Sequence, residues 1–185
     1  MLDVQGDRAL VITKDIIEQR PYNVESIEVT WEICTLRKYL NDEFLQKFPK
    51  EDQVRIAETK INNPDNLWYG TKGGNYTTDK VFLLSLEEAD KYFGDSGDYM
   101  NKRRKNYNAY NGKIASSNNG QAFSNTNDSY RIARYDNGVS YWWLRSPGKN
   151  DRNAAYVNAG GAVFVDGDNK TNDNAGVRPA LWLKL

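Results

Sequence analysis

Two apolar runs that enclose a long polar tract near the end of the chain constrain its fold most strongly. Residues 141–144 and 177–183 are rich in aromatic and branched side chains and are bounded by turn formers, so each run predicts a buried strand. Residues 149–175, which we call the C-terminal tract, consist mainly of Asn, Asp, Gly and Ala, which favour turns and contribute little to a core. The pattern therefore predicts two rigid strands that hold a permissive insert.

Two short apolar runs interrupt the C-terminal tract at 154–157 and 162–165, on either side of Gly160-Gly161. Runs of this kind separated by glycine predict a β-hairpin. Side chains alternate between the two faces of a strand, so Phe164 is expected on the solvent side while its neighbours at 163 and 165 enter the core.

The composition excludes several classes of site. The chain has 185 residues, which suits a single domain, and its 25 Lys and Arg balance 25 Asp and Glu, so we expect no nucleic-acid or anionic-membrane partner. Histidine is absent and Cys34 is the only cysteine. Catalysis by Ser-His or Cys-His pairs, histidine metal sites, cysteine zinc clusters and internal disulfides are thereby excluded. Because Cys34 lies beside Trp31 and Ile33, we expect a buried structural thiol.

The preceding part of the chain predicts short elements of both kinds. Ser85 and Glu88 form the pattern of a capping box, which predicts a helix that reaches Phe93. Apolar residues at helical spacing predict a helix from Thr35 to about residue 48. Further predicted elements are a hairpin of strands at 2–4 and 9–13, a short helix at 50–57, strands at 58–61 and 80–84, and an irregular segment at 94–137.

Three weaker patterns fit ordinary structure better than a site. Residues 70–78 contain Gly, Lys and Thr but lack the order of a phosphate-binding loop, so they predict a turn. Asp166, Asp168 and Asp173 lack the spacing of an EF-hand, which leaves only a looser calcium site open. The basic and aromatic residues at 102–110 have acidic neighbours and predict a solvated loop.

Trp142 and Trp143 are adjacent on a predicted strand. Adjacent strand residues point to opposite faces, so we expect one indole ring in the core. The other ring is then available for exposure and for stacking on a sugar.

The order of motifs in the last quarter resembles that of a known group of proteins. Trp-Trp-Leu-Arg-Ser-Pro-Gly at 142–148 is followed by the polar tract with its Ala-Ala-Tyr-Val, and then by Gly-Val-Arg-Pro-Ala-Leu at 176–181. This order resembles bacterial and phage C-type-lectin-like domains related to the formylglycine-generating enzyme fold, and especially the variable proteins of diversity-generating retroelements. Upstream segments that also resemble this group lie at 29–32, 36–41, 73–75, 78–80 and 82–85.

The resemblance covers nearly the whole chain and implies one domain over residues 1–185. The implied fold is α+β and C-type-lectin-like, with short helices around small antiparallel sheets, long irregular loops and paired termini. The terminal strand at 177–183 is then expected to pair with the strand at 9–13. The implied function is that of a binding module, with no catalysis and no cofactor.

In the resembled variable proteins, the tract before Gly-Val-Arg is rewritten by a copying step that mutates adenines. Asn codons mutated at both adenines cannot give Lys, Gln, Glu, Met or Trp, and from residue 150 to residue 175 only Lys170 lies outside the permitted set. The C-terminal tract is therefore the expected variable ligand-binding region. Lys149 and Lys170 must then be fixed positions or come from other codons.

The residues expected to form the binding surface are polar, small or aromatic side chains within this tract. Several are of the adaptable kinds that occur in paratopes. They are Asn150, Asp151, Arg152, Asn153, Asn158, Ala159, Ala162, Phe164, Asp166, Asp168, Asn169, Asn172 and Asp173. The expected partner is a protein or another surface ligand, with no nucleic acid and no membrane insertion.

Two departures from the resembled group remove activities known there. A formylglycine-generating enzyme depends on a pair of cysteines, whereas this chain has Cys34 alone. Calcium-dependent lectins use Glu-Pro-Asn or Gln-Pro-Asp followed by Trp-Asn-Asp, and Asn63-Pro64-Asp65 matches only the first of these motifs in part. Neither oxidase chemistry nor sugar binding by the calcium route is expected.

Two other functions stay open at this point. An enzyme would have to rely on carboxylates, for example a pair among Asp151, Asp166 and Asp168 acting as general acid and base. A structural piece of a phage tail or surface array would bind no variable ligand. The chain shows neither a secretory signal nor a membrane-spanning run, so a place on a virion or cell surface would depend on a parent protein.

Overall fold

Two sheets packed on a shared core, with short helices around them, form the fold in the computed structural model, which describes residues 1–93, 122–123 and 127–185. In chain order the strands are β1 (Asp3–Gln5), β2 (Arg8–Ile12), β3 (Glu18–Gln19), β4 (Ile56–Ala57), β5 (Thr59–Ile61), β6 (Thr77–Asp79), β7 (Ala122–Phe123), β8 (Ala133–Tyr135), β9 (Gly138–Ser140), β10 (Trp142–Pro147), β11 (Asn153–Val157), β12 (Val163–Asn169), β13 (Gly176–Val177) and β14 (Ala180–Lys184). The helices are α1 (Thr35–Tyr39), α2 (Lys50–Arg55), α3 (Leu86–Tyr92) and α4 (Asp128–Arg131), with 3-10 turns at Trp31–Ile33 and Leu45–Lys47 and a π-helical turn at Leu40–Phe44.

The sheets are small and mostly antiparallel. One has the strand order β1-β2-β14-β4, and the other has the order β3-β13-β10-β11-β12-β7, in which β10 and β13 run parallel. Strands β5 and β6 form a separate pair, as do β8 and β9. This mixture of short helices and small sheets confirms the α+β class.

The second and the last strands of the domain close it by pairing with each other. Strand β14 is antiparallel to β2, in a register that runs from Ala180 opposite Ile12 to Lys184 opposite Arg8. Trp182 is buried in this pairing. The predicted association of the terminal segments is therefore confirmed.

The predicted strand at 177–183 is divided between the two sheets. Val177 ends β13 in the larger sheet, and Ala180 begins β14 in the smaller one. Pro179 lies between them and has no N–H to donate to a ladder, although its carbonyl accepts from the Thr13 amide at 3.2 Å. The proline thus marks the point at which the chain leaves one sheet for the other.

Residues 80–84 do not form the strand that their apolar sequence predicts. Phe82 and Ala180 exchange both backbone hydrogen bonds, at 2.9 and 2.8 Å, but this bridge is isolated. The next two carbonyls turn to the other sheet, where the Leu83 carbonyl accepts from the Arg145 guanidinium and the Leu84 carbonyl accepts from the Arg145 amide. The segment is buried as expected, but its backbone links two sheets instead of extending one.

Both tryptophans of β10 are buried, which corrects the expectation that one of them is available at the surface. Trp142 and Trp143 are each 0% exposed. The Trp142 indole N–H donates to the Arg131 carbonyl and the Trp143 indole N–H donates to the Arg20 carbonyl, each at 3.0 Å. The strand is covered on both faces, so alternation separates the two rings without exposing either.

The helical predictions are close to the structure. The α1 helix, the π-helical turn and the 3-10 turn follow one another from residue 35 to residue 47. Cys34 is buried at the start of α1, where its sulfur accepts from the Arg37 amide and burial raises its pKa to about 12. The expected structural thiol is confirmed. The capping box of α3 is also confirmed, since Ser85 and Glu88 exchange both of its hydrogen bonds.

Part of the predicted irregular segment at 94–137 lies outside the described residues, as does the basic and aromatic cluster at 102–110. From residue 127 onward the segment contains α4 and β8. Among the helices described here, none combines the length and the apolar character required to span a lipid bilayer.

Arg145 connects β10 to the segments around it. Its guanidinium is 4% exposed, donates to the carbonyls of Leu83 at 2.7 Å and Asn62 at 2.9 Å, and forms a two-pronged ion pair with Glu88. The next residue, Ser146, accepts the Leu86 amide of α3 at 3.0 Å. The Arg-Ser sequence of β10 therefore fixes the start of a helix.

We expect Arg145→Leu to lower the free energy of unfolding by about 3–5 kcal/mol, because it leaves Glu88 and two carbonyls without their buried donor. Arg55→Leu is the matched control, since Arg55 is exposed, and should change stability by less than about 0.5 kcal/mol. Urea denaturation of both variants measures the difference. Equal losses would show that Arg145 does not have this central role.

Candidate ligand-binding surface

The C-terminal tract forms the predicted hairpin, built from β11 and β12. Tyr156 lies opposite Phe164, whereas Ala154 lies opposite Asp168, so β12 contains a bulge between these pairs. Gly167 lies in the bulge with φ +74°, a conformation that favours glycine, and a Cβ there would lie 2.4 Å from the Ala154 carbonyl oxygen. The bulge changes the direction of the strand at the end that carries the acidic residues.

Asn66 connects strand β12 of this hairpin to the end of strand β10. Its buried amide nitrogen donates to the carbonyls of Pro147 at 2.8 Å and Val165 at 2.7 Å, and to the Gly148 carbonyl at 3.3 Å. Its side-chain oxygen accepts from the backbone of its own turn, at Trp68. One asparagine outside the tract therefore ties the tract's backbone to the core.

Lys170 is the second anchor, and it lies inside the tract. The side chain is 2% exposed, and its ammonium donates to the Val29 carbonyl and to the Asp151 carbonyl at 2.8 Å. The ammonium also lies 5.4 Å from the centre of the Tyr22 ring. Burial lowers its pKa from 10.5 to about 8, against the opposing influence of Cys34 and Asp151. Sequence reasoning singled out Lys170 as a departure from the permitted residues but missed its burial.

Most of the candidate residues have solvent-accessible side chains. The exposed ones are Asn150, Asp151, Arg152, Asn169 and Asp173. The partly exposed ones are Asn153, Asn158, Ala159, Phe164, Asp166, Asp168 and Asn172. The hairpin residues between them are buried: Ala154, Ala155, Val157, Val163 and Val165.

Ala162 is an exception, because it is buried and was expected at the surface. Its backbone closes the hairpin turn, with hydrogen bonds of 2.9 Å between the Ala162 amide and the Asn158 side chain and between the Asn158 amide and the Ala162 carbonyl. A Cβ on the adjacent Gly161 would lie 1.9 Å from the Asp128 carbonyl oxygen, so this turn is pressed against α4. Ala162 is therefore removed from the candidate surface.

The candidates occupy two ends of the hairpin. At the open end, Asn153 pairs with Asn169, and the Asn172 amide donates to the Asp168 carboxylate at 2.9 Å. At the closed end, Asn158 uses its side chain to hold its own turn. The structure thus brings together the candidates at 150–153 and 166–173, and it separates them from those at 158–159.

A row of aromatic rings crosses the face of the sheet between these ends. Phe164 stacks on Tyr156, with ring centres 4.8 Å apart and an interplanar angle of 11°. Tyr141 meets Tyr156 edge to face at 5.5 Å, and it meets the buried Trp143 at 6.3 Å. Trp143 lies directly opposite Tyr156 in the ladder, so the row runs from the core to the surface.

Carboxylates border this row. Burial, together with nearby carboxylates, raises the pKa of both phenols to about 12: the carboxylates are Asp168 and Asp173 for Tyr141, and Asp166 and Asp168 for Tyr156. Burial likewise raises the pKa of Asp166, one of whose carboxylate oxygens is shielded from solvent without a hydrogen-bond partner. The surface therefore combines aromatic area with negative charge.

Tyr141 and Tyr156 were missed as surface residues because each belongs to a run predicted as a buried strand. Alternation would have found Tyr156: its neighbours Ala155 and Val157 are both 0% exposed, so Tyr156 must point away from them. Tyr141 carried no such signal, since it precedes β10 and the residue that follows it is buried.

The other motifs give ordinary structure. Residues 70–78 include the start of β6, and Asp65 accepts from the Gly73 amide at 3.1 Å and pairs with Lys72 at 2.7 Å. Within residues 1–93, 122–123 and 127–185, no group of three or more Cys, Asp and Glu side chains is arranged to hold a metal ion.

A family model described as "Domain of unknown function (DUF6273)" matches residues 6–185. The chain belongs to the DUF6273 family. Comparisons with curated proteins and with solved structures gave no match. The DUF6273 match includes the whole larger sheet and the whole C-terminal tract, so the surface described above lies within the family's domain.

We expect the exposed residues of the tract to tolerate substitution. Arg152→Ala and Asp173→Ala should each change the free energy of unfolding by less than about 0.5 kcal/mol, because neither side chain is buried. Trp143→Ala should cost about 3–5 kcal/mol, because it empties a fully buried site. Thermal denaturation of the three variants tests the contrast, and similar losses for all three would refute it.

Lys170→Met should destabilise the domain by about 1–3 kcal/mol at pH 7, because backbone carbonyls lose a buried donor. This loss should grow as the pH rises from about 8 to 10.5, since in that window the unfolded chain holds a proton that folded Lys170 has released, so wild-type stability gains with pH. The measurement is the difference in unfolding free energy between wild type and variant at several pH values.

Cys34 titrates in both proteins, so its contribution largely cancels in this difference. Lys149→Met is the control within the tract, because Lys149 is exposed, and its difference from wild type should stay level across the same window. A level difference for Lys170→Met as well would contradict the assigned burial effect.

Proposed function

We propose that this DUF6273 domain is a non-enzymatic ligand-binding module with a C-type-lectin-like fold, and that its C-terminal tract is a variable binding surface of the kind found in diversity-generating retroelements. The ligand is a protein or another surface molecule, and no cofactor takes part. Placement on a virion or cell surface would come from a parent protein.

The paired termini support the fold assignment. The resembled fold closes in this way, and strands β2 and β14 pair over their whole length. Short helices around small sheets also agree with what the resemblance implies.

The proposal rests on one observation: the tract is anchored through its backbone, while other side chains of the tract lie at the surface. Its anchors contact backbone atoms: Asn66 binds the carbonyls at 147, 148 and 165, while Lys170 binds the carbonyls at 29 and 151. Side-chain changes at exposed positions such as Arg152 and Asp173 leave these hydrogen bonds intact. A scaffold held in this way can present many different side chains on one backbone.

Lys170 also supports the diversification hypothesis. It is the residue from 150 to 175 that mutated Asn codons cannot supply, and it is the buried anchor. A position that must remain lysine would be expected to escape a mutagenic copying step. Lys149 is exposed and fits the hypothesis only if it lies outside the mutated codons.

Sequencing the DNA around the gene tests the proposal. We expect a near-copy of the segment that encodes the C-terminal tract, next to a reverse transcriptase gene, with differences from the gene confined to adenines of the copy. The differing codons should be those of exposed residues such as Asn169 and Asp173, while the codon of Lys170 should be identical. The segment that encodes 177–185 is the internal control and should show no adenine-directed differences. The absence of such a copy, or differences spread over all four bases, would refute diversification.

A further inference from the structure

One face of the larger sheet is both aromatic and negatively charged. We call it the aromatic–acidic face. It consists of Tyr141, Tyr156, Phe164, Asp166, Asp168 and Asp173. Five of these side chains are partly exposed and Asp173 is exposed, so a ligand can reach them without a change in the fold.

The face contains hydrogen-bonding atoms that the domain itself does not use. Among the residues that the structure describes, none forms a hydrogen bond with the hydroxyl of Tyr141 or of Tyr156. Both phenols belong to partly exposed side chains, so a ligand can pair with their hydroxyls without a change in the fold.

The basic side chains near the face either bind other groups or lie at its border. The Lys170 ammonium is buried beneath the hairpin and donates to backbone carbonyls. Lys149 influences Asp166 but is exposed and forms no ion pair with it, and Arg152 lies in the exposed turn before β11. The chain as a whole is neutral, so the three carboxylates make this face a local concentration of negative charge.

We propose that the aromatic–acidic face binds arginine side chains of a partner polypeptide. This inference rests on the proposed function and specifies the ligand chemistry of the same surface. A guanidinium is planar, stacks on aromatic rings and offers five donors, so one group can contact a ring and satisfy several acceptors at once. An ammonium supplies charge without the planar contact, and a neutral sugar supplies neither charge nor a match to three carboxylates.

The probe is a synthetic peptide made of repeated Arg-Gly-Ser units, titrated into isotope-labelled protein and followed by nuclear magnetic resonance. We expect the largest shifts at the backbone amides of β11 and β12. The same peptide with citrulline, a neutral group of nearly the same shape, should bind at least about tenfold more weakly, and the lysine version should fall between them.

The variant is Asp166→Asn combined with Asp173→Asn, which removes two charges from the face. It should weaken binding of the arginine peptide about tenfold. The matched control is Glu51→Gln combined with Glu58→Gln, which removes two exposed carboxylates near β4 and should leave the affinity within about twofold. Thermal denaturation confirms that both double variants are folded.

Equal affinity for the arginine and citrulline peptides would overturn the inference, as would unchanged affinity in the Asp166→Asn, Asp173→Asn variant. Shifts that map away from β11 and β12, or no binding at millimolar peptide, would also overturn it. None of these outcomes bears on whether the gene has a template copy. Arginine selectivity without a template copy would refute diversification and support the arginine-binding site. A template copy without arginine selectivity would support diversification and refute the arginine-binding site.

Discussion

A buried guanidinium connects the parts of this domain that lie far apart in sequence. Arg145 lies on a fully buried strand and contacts the carbonyls of Asn62 and Leu83 as well as the Glu88 carboxylate. A charge in this position is tolerable only when each partner is in place, because desolvation of an unpaired ion costs several kcal/mol. The segments that supply the partners are consequently held in one arrangement. The C-terminal tract begins at Lys149, four residues after the strand's buried arginine, so its start is held in the same arrangement.

The tract itself is attached to the core through its main chain. Asn66 and Lys170 both bind carbonyl oxygens, which every amino acid carries. Glycines at 148 and 167 allow two backbone segments to approach more closely than a Cβ would permit. Exposed side chains such as those of Arg152 and Asp173 therefore have little part in holding the backbone in place, whereas the Asn158 side chain holds its own turn.

Structural features set by neighbouring residues could be predicted from the sequence, whereas features that depend on packing by distant segments could not. The capping box of Ser85 and Glu88 is contained within four residues and could be predicted. The two tryptophans of β10 could not be placed, because alternation says which faces they use but not that other segments cover both faces. The pairing of the termini came from the resemblance. The sequence marked Lys170 as a departure from the permitted residues but could not show its burial, since only the folded chain brings Tyr22 and the carbonyl oxygens to it.

Anchoring through backbone atoms limits changes in the length of the tract while it permits changes in its side chains. Asn66 binds three carbonyls at fixed positions along the chain. Those of Pro147 and Gly148 precede β11, and that of Val165 lies on β12. Inserting or deleting a single residue within β11 or β12 would shift the register of that strand and turn its outward side chains inward. Relatives of this domain should consequently differ in the composition of the tract far more than in its length. The number of residues in the hairpin should stay constant.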